Sequence, residues 1–203
     1  MPSIYQLKSK FQGLLRPLVT ALASARVTAN QVTLAAAALS VVMGVLLFVF
    51  HDSRWPWLLL PLFLFVRMAL NAVDGMLARE HGMKSRLGAI LNELGDVISD
   101  CALYLPFALL AGVYGWLVTL ICILAVISEM AGLIGIQIGA TRRYDGPMGK
   151  SDRAFAFGTL GFIVGIGVEP GIWLTAAFAV ILLLVAVTIL NRASKALKEG
   201  ADA

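Results

Sequence analysis

Two sets of polar and small residues recur at the spacing of a helical turn inside otherwise apolar sequence. In the first, Arg67, Asn71, Asp74 and Ala78 follow at intervals of 4, 3 and 4 residues, which places them on one face of an α-helix. In the second, Gly88, Asn92, Asp96 and Asp100 are each 4 residues apart and again share a face. Gly75 and Ala78 leave the backbone of the first face almost bare, and Arg79 follows directly. Carboxylates and amides facing a bare backbone wall suit hard cations and a phosphate ester. Mg²⁺ takes oxygen ligands and usually shares them with substrate phosphates. Two such ions can polarise a phosphoryl group and stabilise both its entering and leaving oxygens. Helix–helix hydrogen bonds that merely glue a bundle would explain one or two polar residues, but not a register of this extent.

The elements that must position these faces read as membrane spans. The chain of 203 residues is 60% hydrophobic and only 14% charged, where soluble domains carry about 25% charged residues. The stretches 27–50, 101–128 and 170–191 are uncharged. Each is long enough for a helix to cross the hydrocarbon core, which takes about 20 residues. A soluble protein of this size would have to bury three whole helices, and that alternative is set aside. The expected fold is therefore an all-α integral membrane protein: six transmembrane helices preceded by an N-terminal interfacial amphipathic helix. It forms a single domain over 1–203, with the interfacial helix at 1–26, the six-helix bundle at 27–191 and a cytoplasmic tail at 192–203.

The N-terminal segment lacks the apolar core of a cleavable signal. At helical spacing Ile4, Leu7, Phe11, Leu14 and Leu15 fall on one face, while Lys8, Lys10 and Arg16 lie largely elsewhere, which suits anionic lipid. The spans are expected at about 30–50, from Trp55 to Arg79, from Arg86 to Leu110, to Ala140 after a break at 111–116, at 154–168, and from 172 to Asn191. Trp55 and Trp57 sit where an aromatic belt is expected. Nearly all of the 16 Lys and Arg residues fall in the N-terminal segment, the 80–86 link, the 141–153 loop and the tail. Basic residues on alternate connections place both termini in the cytoplasm.

Cys101 and Cys122 lie in apolar sequence and read as small buried hydrophobes, not as a disulfide or zinc site. The net charge of +4 suits the cytoplasmic face of a membrane. Nucleic acid is a poor partner, because the basic residues are dispersed along helix ends and form no stripe. Gly135 with Gly139, and Gly158 with Gly161 and Gly165, let helices approach closely. Packing within the chain is the first reading of these stripes, and a homodimer face the second.

The run Asn71-x2-Asp74-Gly75-x2-Ala78-Arg79-x8-Gly88-x3-Asn92-x3-Asp96 resembles the signature of the CDP-alcohol phosphotransferase family, in which all four acidic positions are Asp. The spacing agrees throughout, and the layout extends the resemblance over the chain, closest to small bacterial inner-membrane members. The resemblance implies transfer of a substituted phosphate from a CDP-linked donor, commonly CDP-diacylglycerol, to an alcohol acceptor with release of CMP, as in phospholipid biosynthesis. It implies Mg²⁺ or Mn²⁺ held at Asp74 and Asp96, with Asn71 and Asn92 completing the set, and Asp96 as general base toward the acceptor hydroxyl. It further implies that Gly75, Ala78 and Gly88 accommodate the nucleotide and that Arg79 meets donor phosphate. Asn71 and Asn92 depart from the pattern: an amide oxygen can ligate Mg²⁺ but brings no charge, so half the carboxylate charge is gone. Glu93 and Asp100 are nearby on the same helix and could restore part of it. Two alternatives accompany the enzyme reading: a family member that binds nucleotide-lipid without turnover, and a membrane carrier.

A second polar zone comprises Arg142, Arg143 and the Gly149-Lys150-Ser151 run, with Glu129 inside the fourth span. Arg142, Arg143 and Lys150 either bind a phosphorylated acceptor or snorkel as positive-inside flanks. Asn30 and Thr33 open the first span, either as part of the site or as a helix cap. Finally, Arg67 and Asp100 each lie one turn deeper than the motif, on antiparallel helices. An isolated charge at bilayer depth costs about 2.5–3.5 kcal/mol on insertion scales. A buried ion pair between Arg67 and Asp100 is therefore expected, leaving Asp74 and Asp96 to metal; the alternative is that Arg67 pairs directly with Glu93 or Asp96 and replaces a metal ion.

Overall fold

The structure, a computed structural model, describes residues 4–201, with side chains from 11 to 200. Among these residues seven α-helices follow in order: α1 (Ile4–Ser24), α2 (Ala29–Val49), α3 (Arg54–Glu80), α4 (Arg86–Tyr104), α5 (Gly115–Gln137), α6 (Lys150–Gly165) and α7 (Ile172–Ala201). A short 3₁₀ helix, Leu105–Leu109, follows α4. No strand occurs among the described residues.

Local chemistry sets the boundaries. The end of α1 is a Schellman turn: Val27 N–H donates to the Leu22 carbonyl and Arg26 N–H to that of Ala23, with Arg26 at φ 60°. Thr28 then caps α2. Its backbone N–H donates to Gln31 Oε1 at 2.8 Å, and Gln31 N–H donates to Thr28 Oγ1 at 3.3 Å. The helix cap thus belongs to Thr28 and Gln31, not to Asn30 or Thr33. Ser85 caps α4 by accepting from Gly88 N–H at 2.9 Å. The third apolar run breaks earlier than the glycines at 111–116 suggest, because Pro106 cannot donate to an α-helical ladder and the chain tightens into the 3₁₀ turn.

Among the described residues four helices, α2, α3, α5 and α7, are long and apolar enough to cross a membrane. At 16 residues, α6 is shorter, and α4 carries the polar motif over a length of 19. The tail expected at 192–203 is helical as far as Ala201, as part of α7.

Two compact units divide the chain. One comprises Met1–Val42 with Phe65–Ser99, the other Met43–Leu64 with Asp100–Ala203. In the first, Val19 of α1 is fully buried with Val32 of α2 and Val73, Met76 and Leu77 of α3, and Leu15 and Leu22 pack on them. This makes Leu15, Val19 and Leu22 the inner edge of α1, whereas Leu14, expected beside Leu15, is 79% exposed.

The second unit is built around aromatic rings, with Tyr104 stacked on Phe157 at 4.0 Å and Phe107 set edge-on to Trp57, Phe157 and Phe178. Trp57 is thus a core residue, its indole N–H donating to the His51 carbonyl, whereas Trp55 is exposed. The glycine stripe of α6 packs within the chain. A Cβ at Gly158, Gly161 or Gly165 would meet Leu64 with Pro61, Leu60, or Leu58, respectively. Cys101 and Cys122 are free thiols, half-buried and buried.

Candidate active site

The motif residues collect in the first unit, on α3 and α4, with α2 alongside. Asp74 is buried, and its Oδ2 accepts from Thr33 Oγ1 of α2 at 2.7 Å. Asn71 Nδ2 donates to Asp96 Oδ1 at 3.3 Å, linking the two motif helices at the positions matching the first and fourth acidic residues of the signature. The half-buried Asn92 and Glu93 accompany Asp96 on α4.

The small residues have identifiable neighbours. A Cβ at Gly75 would lie 3.2 and 3.3 Å from the two terminal nitrogens of Arg79, so the guanidinium folds back over bare backbone. At Gly88 a Cβ would lie 2.5 Å from Asn30 Oδ1 and 2.9 Å from Ser85 Oγ. Glycine is what admits the Asn30 side chain there, and Asn30 Nδ2 reaches Ser85 Oγ at 3.4 Å. Asn30 and Thr33 thus reach the motif region, Thr33 to Asp74 of α3 and Asn30 to Ser85 at the start of α4.

Arg67 is 3% exposed, yet its partners within this unit lie on the motif itself. Its Nη2 donates to the Asp96 carbonyl at 3.1 Å and stands 3.6 Å from Asp96 Oδ1, whose side chain is 19% exposed. Within this unit Arg67 therefore touches Asp96 itself, the contact that the alternative reading of Arg67 expected. A guanidinium one turn below Asn71 reaches along α3 to the carboxylate opposite.

The second unit holds a polar network that the sequence pattern did not resolve. Arg153 of α6 is 1% exposed, and its guanidinium donates to Asp100 Oδ2 at 3.0 Å and Glu129 Oε1 at 3.0 Å. It also donates to the Met148 carbonyl and to Ser128 Oγ. Arg192 of α7, 2% exposed, takes the other oxygen of Glu129 at 3.2 Å and donates to the carbonyls of Ser128 and Asp145. Glu129 is therefore clamped between two arginines, one on each oxygen. Arg192 also explains why α7 outruns its apolar stretch: its charge is held in the core by a carboxylate.

Arg143 is tied to Asp145 at 2.8 Å and to Glu199, and Lys195 reaches the other Asp145 oxygen at 2.7 Å. The Lys195 ammonium, with Arg143 adding to it, holds the Asp145 carboxyl below the usual aspartate range. Arg142 lies over the Tyr144 ring, 4.9 Å from its centroid. Arg143 thus staples the loop to α7.

Cation binding can be tested against this donor set. Among the described residues no three His, Cys, Asp or Glu side chains converge. Two carboxylates with amide oxygens fit one Mg²⁺ or Mn²⁺ shared with substrate phosphates.

The sequence pattern of the CDP-alcohol phosphatidyltransferase family matches residues 26–191. The chain is also 46% identical over 200 residues to the inner membrane protein YnbA of Escherichia coli strain K12, covering 98% of this chain and 99% of that protein. The motif paired across α3 and α4 lies inside the matched region, and the chain belongs to the CDP-alcohol phosphatidyltransferase family, whose general reaction is phosphatidyl transfer from a CDP-alcohol.

Proposed function

We propose that this protein transfers a phosphatidyl group from CDP-diacylglycerol to an alcohol, releasing CMP, in phospholipid synthesis at the cytoplasmic face of a bacterial inner membrane. The Asn71–Asp96 contact supports this most directly, because it brings the two halves of the motif to one point. The acceptor hydroxyl oxygen attacks the lipid-side phosphorus of the donor. The bond from that phosphorus to the bridging oxygen breaks, and CMP leaves with the electron pair. Asp96 takes the hydroxyl proton, and Arg67 positions Asp96 from below. Asp74 and Asp96, with Asn71 and Asn92, are the residues that would hold a divalent cation. When bound, the ion supplies positive charge to the donor phosphates. Gly75, Ala78 and Gly88 give the nucleotide room, and Arg79, already lying over Gly75, meets donor phosphate. Arg142 and Lys150 are assigned to the acceptor side.

The chain crosses the membrane six times in this reading, with α4 and α6 joining the four longer apolar helices. The first helix, α1, lies at the interface and both termini are cytoplasmic. The inner-membrane placement follows the similarity to the Escherichia coli protein. The pairing of Arg67 with Asp100 is retained as part of the proposal.

Purified protein given CDP-diacylglycerol, Mg²⁺ or Mn²⁺ and a panel of alcohols should release CMP with at least one acceptor. CDP binding without CMP release from any of them would establish the second reading, a nucleotide-lipid binder without turnover, which the two asparagines favour. A carrier would instead show transport that survives loss of Asp96.

A further inference from the structure

The environment of Asp96 differs from that of a carboxylate waiting for two cations. Four aspartates converging on one gap repel one another, and bound ions must offset that repulsion. Here the positions of the first and third are amides, and the consequence is visible in the contacts. Asn71 turns its Nδ2 to Asp96 Oδ1 at 3.3 Å, so it acts as a donor to the carboxylate. Arg67, almost fully buried, puts a permanent positive charge 3.6 Å from the same oxygen and fixes itself through the Asp96 carbonyl. An arginine does not lose its proton, so this charge is present at every working pH. On the other motif helix, the hydroxyl of Thr33 from α2 orients Asp74. Asp96 thus has a guanidinium charge and an amide N–H directed at one oxygen, the oxygen a second cation would need.

We propose that Arg67 and Asn71 take the place of a second divalent cation at Asp96, so that this chain works with one ion where a four-aspartate site accommodates two. This rests on the transferase reading above and sharpens it. The remaining ion is bound with the help of Asp74 and the substrate phosphates, which is the usual way for Mg²⁺ to be held by few protein ligands. A second ion close to Asp96 Oδ1 would sit against the Arg67 charge in a poorly solvated place, where like-charge repulsion is weakly screened. Returning Asn71 and Asn92 to aspartate adds two negative charges next to Arg67 and makes room for that ion.

Counting Mn²⁺ on the purified full-length chain with saturating CDP tests the idea, using equilibrium binding and electron paramagnetic resonance. The wild-type protein should bind one Mn²⁺ per chain, with no Mn–Mn dipolar broadening. The Asn71→Asp/Asn92→Asp variant should bind two, with broadening. Two ions on the wild-type chain, or none, overturns the proposal, and because this count needs no variant, misfolding cannot shelter it. A folded double variant that still binds one ion, judged by its circular dichroism and elution volume, overturns it as well. The transferase reading fails on a different observation. A chain that binds one Mn²⁺ and CDP but never releases CMP refutes turnover and leaves the count standing. CMP release with two bound ions does the reverse.

Discussion

The two units handle buried charge in opposite ways. In the second, Arg153 and Arg192 are 1% and 2% exposed and are matched by Asp100 and Glu129, with backbone carbonyls taking further donors. In the first, Asp96 remains 19% exposed beside a nearly bare strip of α3, and Asn71, Asn92 and Glu93 are only half-buried. A network of charges drawn from four segments holds a fold together, because removing any member strands another buried charge. A set of polar groups left partly open beside small residues has capacity for a ligand. Polarity inside a span therefore has two uses here, told apart by how far the groups are exposed and by whether small residues lie beside them.

The sharpest way to break this comparison is to remove a carboxylate from each motif helix and a cation from the network. Asp96→Asn, and separately Asp74→Asn, should lower CMP release by about 10²–10⁴-fold, the range for losing a general base or comparable group, in protein that still folds, with some loss of thermal stability for Asp96→Asn because Arg67 loses the opposing charge. Near-normal turnover in either variant would contradict the assignment of the first unit. Arg153→Met should do the converse. It leaves Asp100 and Glu129 without their shared cation, for a loss of about 3–5 kcal/mol in stability, read as a large fall in unfolding temperature and in yield of folded protein.

A smaller effect comes from Arg67. In a double-mutant cycle with Arg67→Met and Asp100→Asn, each single change should destabilise the protein. The pair should recover part of the loss, with a coupling of about 0.5–3 kcal/mol. Additive losses would end the proposed Arg67–Asp100 pair and leave Asp96 as the partner of Arg67. Least of all, Arg26→Gly should stabilise by about 1 kcal/mol. Arg26 holds φ 60° at the end of α1, a conformation that strains any side chain with a Cβ. An unfolding temperature that falls would show that the Arg26 side chain matters more than its backbone.

Helical register made the motif legible, since residues four apart in a helical stretch must share a face whatever surrounds them. The same logic located α1, α2 and α3 to within a few residues. What it missed depends on partners far apart in sequence. Thr33 and Asp74 are 41 residues apart, and nothing local in Asn30-x2-Thr33 distinguishes a hydroxyl aimed at a carboxylate from a cap. Arg153 looked like the last residue of a basic loop and Arg192 like the first of a tail, because charge at the end of an apolar run normally marks the water boundary. Only the placement of Glu129 between them reverses that reading. Trp57 misled in the same way: beside Trp55 it suggested an aromatic belt, but its indole is satisfied inside the core. The glycine stripe of α6 was correctly read as packing within the chain, since close approach needs only small residues and a neighbour.

The clamp on Glu129 also sets an order for assembly. Synthesis delivers Asp100 first, Glu129 next, then Arg153, and Arg192 only near the end of the last helix. Until that helix arrives, one oxygen of Glu129 lacks the guanidinium that holds it in the finished protein. A nascent chain halted before Arg192 would therefore carry an exposed mark of incompleteness inside the bilayer, of the kind membrane proteases and insertion chaperones can discriminate. Ribosome-stalled intermediates ending before and after Arg192 should differ abruptly in protease resistance, and Arg192→Met in the full-length chain should behave like the earlier stall.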